Sequence, residues 1–222
     1  MPRGVPAYLS YWGKAQALGE LSADWHPAAY HGLDVAAVGS ALIDTRPQLL
    51  TALARASGLP EDLARRWFLF ALALHDIGKF ACCFQAKVPE RFNHRDQWTS
   101  LPLARDPGHG RVGLALWEGG CEVPCVGHQP FTPLFGSSPN AFDAYWGFSH
   151  WMTAVAGHHG RPVEQADLRS RVCPAALVDA RAYVEDCAAL FAPRIEPDGP
   201  KTSEKTMKRA SWLVGGLAML CD

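Results

Sequence analysis

The sequence predicts an all-α fold built as a single domain over residues 1–222, with a metal centre in its core. Nearly every strongly periodic segment repeats its apolar residues at steps of three and four, which is the spacing of a helix. No run alternates apolar and polar residues with the β-branched enrichment of a strand. Histidine and aspartate residues recur beside the predicted helix ends, above all in the pairs His75-Asp76 and His158-His159.

The first predicted helix runs from Pro27 to about Asp44. Proline suits the first turn of a helix, because the amide hydrogen that it lacks has no partner there. The residues that we expect on one face, at three- and four-residue steps, are His31, Asp34, Val35 and Val38.

The clearest predicted helix runs from Pro60 to Asp76. Its buried stripe consists of Leu63, Trp67, Phe70, Ala71 and Leu74. The second half, residues 67–74, is apolar on all sides, so we expect this helix to pass through the core. Gly78 is the predicted terminator, and His75 and Asp76 would emerge at the C-terminal end.

Further helices are predicted over residues 110–117, 140–157, 174–191 and 204–220. Residues 81–108 are the least regular region, and a long loop in a compact domain tends to be functional. We interpret it as a cover over a single-strand channel, in which Phe84, Phe92 and Trp98 offer stacking faces. The alternative, that these aromatic residues belong to the core, is equally open.

Charge and cysteine content restrict the function. Lysine and arginine number 21 against 22 aspartate and glutamate residues, which gives a net charge of −1. A protein that holds nucleic acid unaided usually carries a basic stripe, so any such contact here must be local, assisted by metal, or supplied by a partner. Seven cysteines without a signal peptide favour reduced thiols in the cytoplasm. The apolar run 212–221 is about half a membrane span, so we expect a buried helix and no membrane contact.

The candidate metal ligands share an imidazole or a carboxylate: His31, His75, Asp76, His109, His158, His159 and Asp222. Neighbouring residues on a regular helix point about 100° apart, so His75 and Asp76 could not face one ion equally there. At a helix end the backbone can turn, and Asp76 has the second option of bridging two metal ions. One ion would take His31, His75, Asp76 and Asp222, and a second would take Asp76, His109, His158 and His159. Such a pair of ions can clamp a phosphodiester and activate a water, with Lys79 neutralising charge on the phosphate.

Simpler interpretations exist for several of these residues. A lone histidine such as His31 is commonly a satisfied polar residue of an amphipathic helix. Lys79 can complement a helix dipole, and Asp34 can be a cap or a surface carboxylate. The histidines assigned to structural roles are His26, His94, His128 and His150.

Several motifs, in this order, resemble the N-terminal HD nuclease domain of the CRISPR-associated helicase–nuclease of type I interference systems. They are Tyr11-Trp12-Gly13-Lys14, Tyr30-His31-Gly32-Leu33-Asp34-Val35-Ala36-Ala37-Val38, Leu74-His75-Asp76-Ile77-Gly78-Lys79-Phe80, Phe84-Gln85-Ala86-Lys87, Gly108-His109-Gly110, Gly157-His158-His159-Gly160 and Leu217-Ala218-Met219-Leu220-Cys221-Asp222. The Tyr-Trp-Gly-Lys and Phe-Gln-x-Lys pieces are more specific than His-Asp, which a broad phosphohydrolase superfamily shares.

The resemblance implies an HD-domain helical bundle whose metal centre cuts single-stranded DNA. His75, Asp76 and Lys79 would be catalytic, and the cofactors would be two divalent transition metal ions: manganese, iron, nickel or cobalt rather than magnesium. The implied partners are a helicase domain or subunit and an RNA-guided surveillance complex.

The sequence departs from that family pattern at its end. It stops at Asp222 and contains no Walker-type Gly-x-x-x-x-Gly-Lys-Ser/Thr segment, so we expect either a separate nuclease subunit or a fragment. Because a terminal ligand frays, we expect the ion on Asp222 to be the more weakly bound of the two.

Two other functions remain open from the sequence. The first is an HD phosphohydrolase that acts on nucleotides or cyclic dinucleotides, which activity on nucleoside triphosphates would reveal. The second is a non-catalytic docking module, which chelator-sensitive cleavage would exclude. The intact ligand set argues against the module.

Overall fold

The computed structural model describes residues 4–15, 25–91, 106–118, 134–136, 140–164, 166–167, 171–196 and 198–222. Its α-helices are α1 (Ala28–Thr45), α2 (Pro47–Ser57), α3 (Glu61–Leu74), α4 (Cys82–Gln85), α5 (His109–Glu118), α6 (Asn140–Ala156), α7 (Pro174–Phe191) and α8 (Glu204–Cys221). Short 3-10 helices cover Ala7–Ser10, Ile77–Phe80 and Pro89–Arg91, and the strands are β1 (Trp12–Ala15) and β2 (Trp25–Pro27). The mainly helical fold confirms the predicted class.

Helix α3 forms the centre of the core. The predicted stripe is buried, and the whole of its second half is shielded from solvent, as expected from the all-round apolar pattern. The Trp67 ring meets Phe148 and Trp151 of α6 edge to face, and its indole nitrogen donates to the carbonyl oxygen of Pro193 at 2.8 Å. Helices α1, α2, α6 and α7 all pack against α3, so its C-terminal end is held from several sides.

Strands β1 and β2 form an antiparallel pair that the all-α prediction did not include. Each is too short to show an alternating pattern, which explains why sequence periodicity did not indicate them. The ladder is irregular between Trp12 and Lys14, and the amide of Ala28 donates to the carbonyl oxygen of Tyr11 at 2.8 Å. This bond attaches the strand pair to the start of α1.

The buried face of α1 differs from the predicted one. His31 and Val35 are buried, but Asp34 and Val38 are exposed. The face that packs on α3 also contains small residues, and a Cβ atom on Gly32 would overlap the carbonyl oxygen of Ala73 and the hydroxyl of Tyr183. Close approach of the two helices therefore decides which side of α1 is buried, and apolar spacing does not.

Two more helices depart from the prediction. Helix α2 was not predicted, although Pro47 lies in its first turn and Gly58 follows it in a left-handed conformation. Helix α8 has the predicted position but is buried on one side only, since Trp212 is 84% exposed and Leu220 is 72% exposed. Among the described residues, no helix has the length and apolar character that crossing a membrane requires.

The region 81–108 begins with helical structure. Cys82–Gln85 is a buried helical turn, and Phe84 stacks on Trp12 with ring centroids 4.4 Å apart. For Phe84, the interpretation as a core residue is therefore confirmed, and the one as an open stacking face is wrong. Phe92 and Trp98 lie outside the described residues.

Replacing Gly32 with alanine should destabilise the protein by about 1–3 kcal/mol, because the added methyl overpacks the α1–α3 contact. For a protein of this size, each kcal/mol lowers the melting temperature by about 2–4 °C. The matched control is Gly216→Ala in α8, where a Cβ meets nothing within 4 Å. This change should raise stability by about 0.5–1 kcal/mol through the better helix propensity of alanine. Equal effects of the two substitutions in thermal melts would contradict the packing argument.

Candidate metal centre

The end of α3 brings His75 and Asp76 to one point. The helix ends at Leu74, and Asp76 leaves helical geometry with φ −112° and ψ 22°. The turn removes the angular separation that a regular helix would impose, so the His75 Nε2 atom lies 3.3 Å from Asp76 Oδ2. Both side chains are almost fully buried.

His158 repeats this arrangement after α6. Its Nδ1 donates to the carbonyl oxygen of Val155 at 2.7 Å, as Nδ1 of His75 donates to that of Leu72 at 2.7 Å. Because a carbonyl oxygen only accepts, Nδ1 carries a proton in both rings, which leaves Nε2 as the ring nitrogen that faces the site and can bind a metal. Fixing the tautomer in this way is typical of histidines that bind metals.

Two glycines let His109 reach the same centre at the start of α5. Gly78, predicted to end α3, instead lies in the turn Ile77–Phe80, where a Cβ would overlap the carbonyl oxygen of His109. A Cβ on Gly110 would overlap the carbonyl oxygen of Ala156 at the end of α6. The missing side chains bring the start of α5 against both ligand-bearing turns.

His31 and Asp222 complete the cluster from α1 and from the residue after α8. The Asp222 amide donates to the carbonyl oxygen of Ala218 at 3.1 Å, which continues the last helical turn. Its Oδ1 lies 3.1 Å from His31 Nε2, and Oδ2 lies 3.7 Å from His158 Nε2. Lys14 Nζ of β1 lies 3.8 Å from Oδ1 at the exposed side of the cluster.

The two oxygens of Asp76 face different groups of imidazoles. Oδ2 lies 3.1 Å from His31 Nε2, and Oδ1 lies 3.1 Å from His109 Nε2. The metal-competent groups, whose donor atoms lie within 4.8 Å of one another, are His31, His75 and Asp222; His75, Asp76 and His158; and His109, His158 and His159. The structure thus brings the seven predicted ligands together in three groups, which His75 and His158 connect.

The ligand atoms of the cluster are arranged to bind a cation rather than to form hydrogen bonds with one another. Within the described part of the chain, the Nε2 atoms of His31, His75 and His158 and the Oδ1 atom of Asp76 are buried without a hydrogen bond. Buried polar atoms are normally paired, so a convergent set of unpaired nitrogen and oxygen atoms indicates a site for a cation. Mixed nitrogen and oxygen donors suit transition metals, whereas magnesium prefers oxygen alone.

Burial and charge set the protonation of the cluster. Burial lowers the pKa of His158 from its ordinary 6.5 to about 4, and it also lowers the pKa of His31. Burial opposes ionisation of Asp76, but the neighbouring imidazoles, His75 foremost, outweigh it and hold the pKa of this carboxyl well below its usual range. At neutral pH, the site therefore offers neutral imidazoles at His31 and His158 and an ionised carboxylate at Asp76, which are the forms that bind metals.

Lys79 is not a solvent-exposed charge at a helix end. Its side chain is 7% exposed, and Nζ lies 2.5 Å from Asp76 Oδ2. The ammonium is therefore a fixed positive charge on the inner side of the cluster.

Two of the four histidines assigned to structural roles, His26 and His150, are described by the structure, and both lie outside this cluster. His26 pairs with exposed Asp34 at 2.8 Å, and His150 lies 3.5 Å from Glu204. His94 and His128 lie outside the described residues. Sequence reasoning missed Lys14 and Gln85 as neighbours of the site, although the motifs that contain them were noticed.

Residues 12–222 match the family model described as "Cas3, HD domain". The chain is 31% identical over 225 residues to the CRISPR-associated endonuclease/helicase Cas3 of Escherichia coli K12, which covers 96% of the chain and 25% of that protein. It is 38% identical over 130 residues to the protein of the same name from Thermus thermophilus, covering 58% of the chain and 12% of the relative. The chain thus spans about a quarter or less of these relatives' length.

The solved structures that resemble it share its fold. A crystal structure of T. fusca Cas3 with AMPPNP superposes with a TM-score of 0.65 at 19% identity, covering 98% of this chain and 22% of that one. A crystal structure described as a CRISPR-associated protein has a TM-score of 0.65 at 23% identity, covering 96% of this chain and 23% of that one.

Adding manganese or nickel to metal-free protein should raise its melting temperature, and Asp76→Asn should abolish most of that rise. At 100 times the dissociation constant, binding stabilises the folded state by about 2.7 kcal/mol, or about 5–10 °C here. The matched control is Asp34→Asn, which removes an exposed carboxylate that pairs with His26. An undiminished shift in Asp76→Asn, measured by calorimetry with and without metal, would contradict this assignment.

The metal-free protein should lose stability as the pH falls from about 6.5 towards 4. The folded state keeps His158 neutral down to a pKa of about 4, whereas the unfolded chain takes up the proton near 6.5. The stability contributed by neutral His158 is fully present above pH 6.5 and is lost as the pH falls through its folded-state pKa of about 4. Urea titrations over this range should show a smaller loss for His158→Asn, which cannot take up the proton; parallel curves for the two proteins would refute the account.

Proposed function

Because the chain belongs to the Cas3 HD-domain family, we propose that it is a metal-dependent nuclease that cleaves single-stranded DNA. The observation that carries the proposal is the position of Asp76, which turns one oxygen towards each of two groups of imidazoles. Such a carboxylate would be able to give one oxygen to each of two cations. The names of the matched relatives, which are endonuclease/helicases, indicate the kind of bond to be cut.

The proposed ligand sets are those on the two sides of Asp76. His31, His75, Asp76 and Asp222 would hold one ion, and Asp76, His109, His158 and His159 would hold the other. Bound manganese, iron, nickel or cobalt would polarise the phosphate and lower the pKa of a water. The carbonyl oxygens of Leu72 and Val155 keep the imidazoles of His75 and His158 in the binding tautomer.

Lys79 would act on the substrate itself. Its ammonium is buried and fixed next to Asp76, where negative charge on a phosphate oxygen would develop during cleavage. A fixed positive charge in a shielded site stabilises such charge more strongly than the same group in water.

The net charge of the chain supports the view that another domain or subunit presents the DNA strand to the site. A net charge of −1 is unlike the basic balance of proteins that hold DNA unaided. We propose that a helicase domain or subunit and an RNA-guided surveillance complex present the strand, as the names of the relatives suggest for the helicase. We further propose that the site acts within the cytoplasm in antiviral defence.

Circular single-stranded DNA tests the proposal directly. Metal-free protein should not cut it, whereas protein supplied with manganese, iron or nickel should nick it, because circular DNA has no end for an exonuclease. His75→Ala and Asp76→Ala should each lower the rate by at least about 100-fold, since each removes a metal ligand from the cluster. The measurement is the rate at which circles become linear on a denaturing gel.

The controls separate the remaining possibilities. His26→Ala, which removes an exposed histidine outside the cluster, should cut like the unaltered protein. Hydrolysis of nucleoside triphosphates or cyclic dinucleotides without DNA cleavage would replace the nuclease by a nucleotide phosphohydrolase. If folded, metal-loaded protein cleaves none of these substrates, the proposed function is wrong.

A further inference from the structure

Gln85 is a buried residue of the Phe-Gln-x-Lys motif that the proposed ligand sets do not use. Its side chain is shielded from solvent. Its Oε1 accepts from the amide of Trp12 at 3.2 Å, while Nε2 donates to the carbonyl oxygens of Trp12 at 2.9 Å and Lys79 at 2.6 Å. An amide group has two N–H donors, so both are directed at main-chain carbonyls.

These bonds attach strand β1 to the turn that carries Lys79. The main-chain carbonyl of Gln85 also accepts from the indole nitrogen of Trp12 at 3.1 Å. On the other side, the Lys79 amide donates to the carbonyl oxygen of Asp76 at 2.9 Å. The backbone of Lys79 is therefore fixed at its amide by the metal-binding turn and at its carbonyl by Gln85.

The neighbour of Gln85 limits where the lysine side chain can go. The Phe84 ring, stacked on Trp12, has its centroid 5.8 Å from Lys79 Nζ. A lysine side chain is long and flexible, so one direction of its ammonium has to be imposed by its surroundings. Here the amide of Gln85 sets the start of the side chain, and the ring of Phe84 borders its end.

We propose that Gln85 is a positioning residue that holds Lys79 in place for phosphodiester cleavage. The proposal rests on the proposed function. It also gives a role to the Phe-Gln-x-Lys and Tyr-Trp-Gly-Lys motifs, which the metal ligands leave unexplained. Both amide N–H donors of Gln85 are directed at main-chain carbonyl oxygens, so it acts through the backbone of Lys79.

The test is a double-mutant cycle of Gln85→Met and Lys79→Met in the 222-residue chain. Methionine has nearly the length of glutamine but no donors, so it releases the Lys79 carbonyl without leaving a large void. Metal content per chain, kcat and KM on circular single-stranded DNA are measured for all four proteins with saturating manganese. A displacement of about 1 Å at a catalytic group can lower a rate by about 100-fold, so we expect Gln85→Met to lower kcat by about 10- to 100-fold with little change in KM.

The two backgrounds distinguish positioning from simple structural support. If Gln85 acts through Lys79, the Gln85→Met change should alter kcat less than about 3-fold once Lys79 is already methionine. An equal loss in both backgrounds, or a loss that follows the metal content, would overturn the proposal. Ser149→Ala, which removes a buried hydrogen bond to the Trp117 indole, controls for loss of stability and should leave kcat unchanged.

Two further outcomes are informative. If Gln85→Met does not fold, Gln85→Leu takes its place in the same cycle, because leucine has no donor for the Lys79 carbonyl either. If the unaltered protein cuts no DNA, the proposed function fails. If it cuts DNA and the cycle is additive, only the positioning role fails.

Discussion

The structure depends on one costly feature, an ionised carboxylate buried at the end of the core helix α3. Removing a charge from water costs several kcal/mol unless cations or hydrogen-bond donors surround it. Lys79 supplies one positive charge beside Asp76, and imidazole nitrogens from helices α1 and α5 and from the turn after α6 surround the carboxylate, where bound metal would supply the rest. Each of these elements must therefore approach the end of α3 closely. The arrangement of the bundle around α3 follows from that demand.

Small residues supply the closeness that the site needs. Gly32 next to His31 lets α1 lie against the carbonyl oxygen of Ala73, just before the metal-binding pair. Gly110 next to His109 does the same for α5 against the end of α6. In both cases the glycine is next to the ligand in sequence. The close backbone contact at the glycine therefore also places the imidazole at the metal centre. This explains why histidine and glycine occur together in the motifs, an association that metal chemistry alone does not require.

The sequence predicted what local periodicity encodes and missed what long-range contact decides. Helix α3 was predicted because Leu63, Trp67 and Leu74 recur at helical spacing, and the convergence of His75 and Asp76 followed from the geometry of a helix end. The pair of β1 and β2 was missed because strands of this length show no alternation. The prediction of the buried side of α1 was partly wrong. Contact of this helix with Ala73 and Leu72 outweighs the apolar character of Val38, which is exposed. The bonds from Gln85 to Trp12 join residues 73 positions apart, which no local pattern can show.

The unpaired atoms of the cluster link stability to chemistry. A chain selected for stability alone would replace His31, His75 and His158 with apolar residues, because unpaired buried nitrogens cost free energy. Retaining them costs stability in the metal-free state, and bound metal would return it by pairing with these nitrogens. The groups around the ligands, in contrast, have hydrogen bonds without metal. The carbonyl oxygens of Leu72 and Val155 accept from His75 and His158, and the Gln85 amide donates to the carbonyl oxygen of Lys79. At the cluster, the unsatisfied atoms are thus confined to the ligands, while their support is complete, which is the pattern of a site preorganised for an ion.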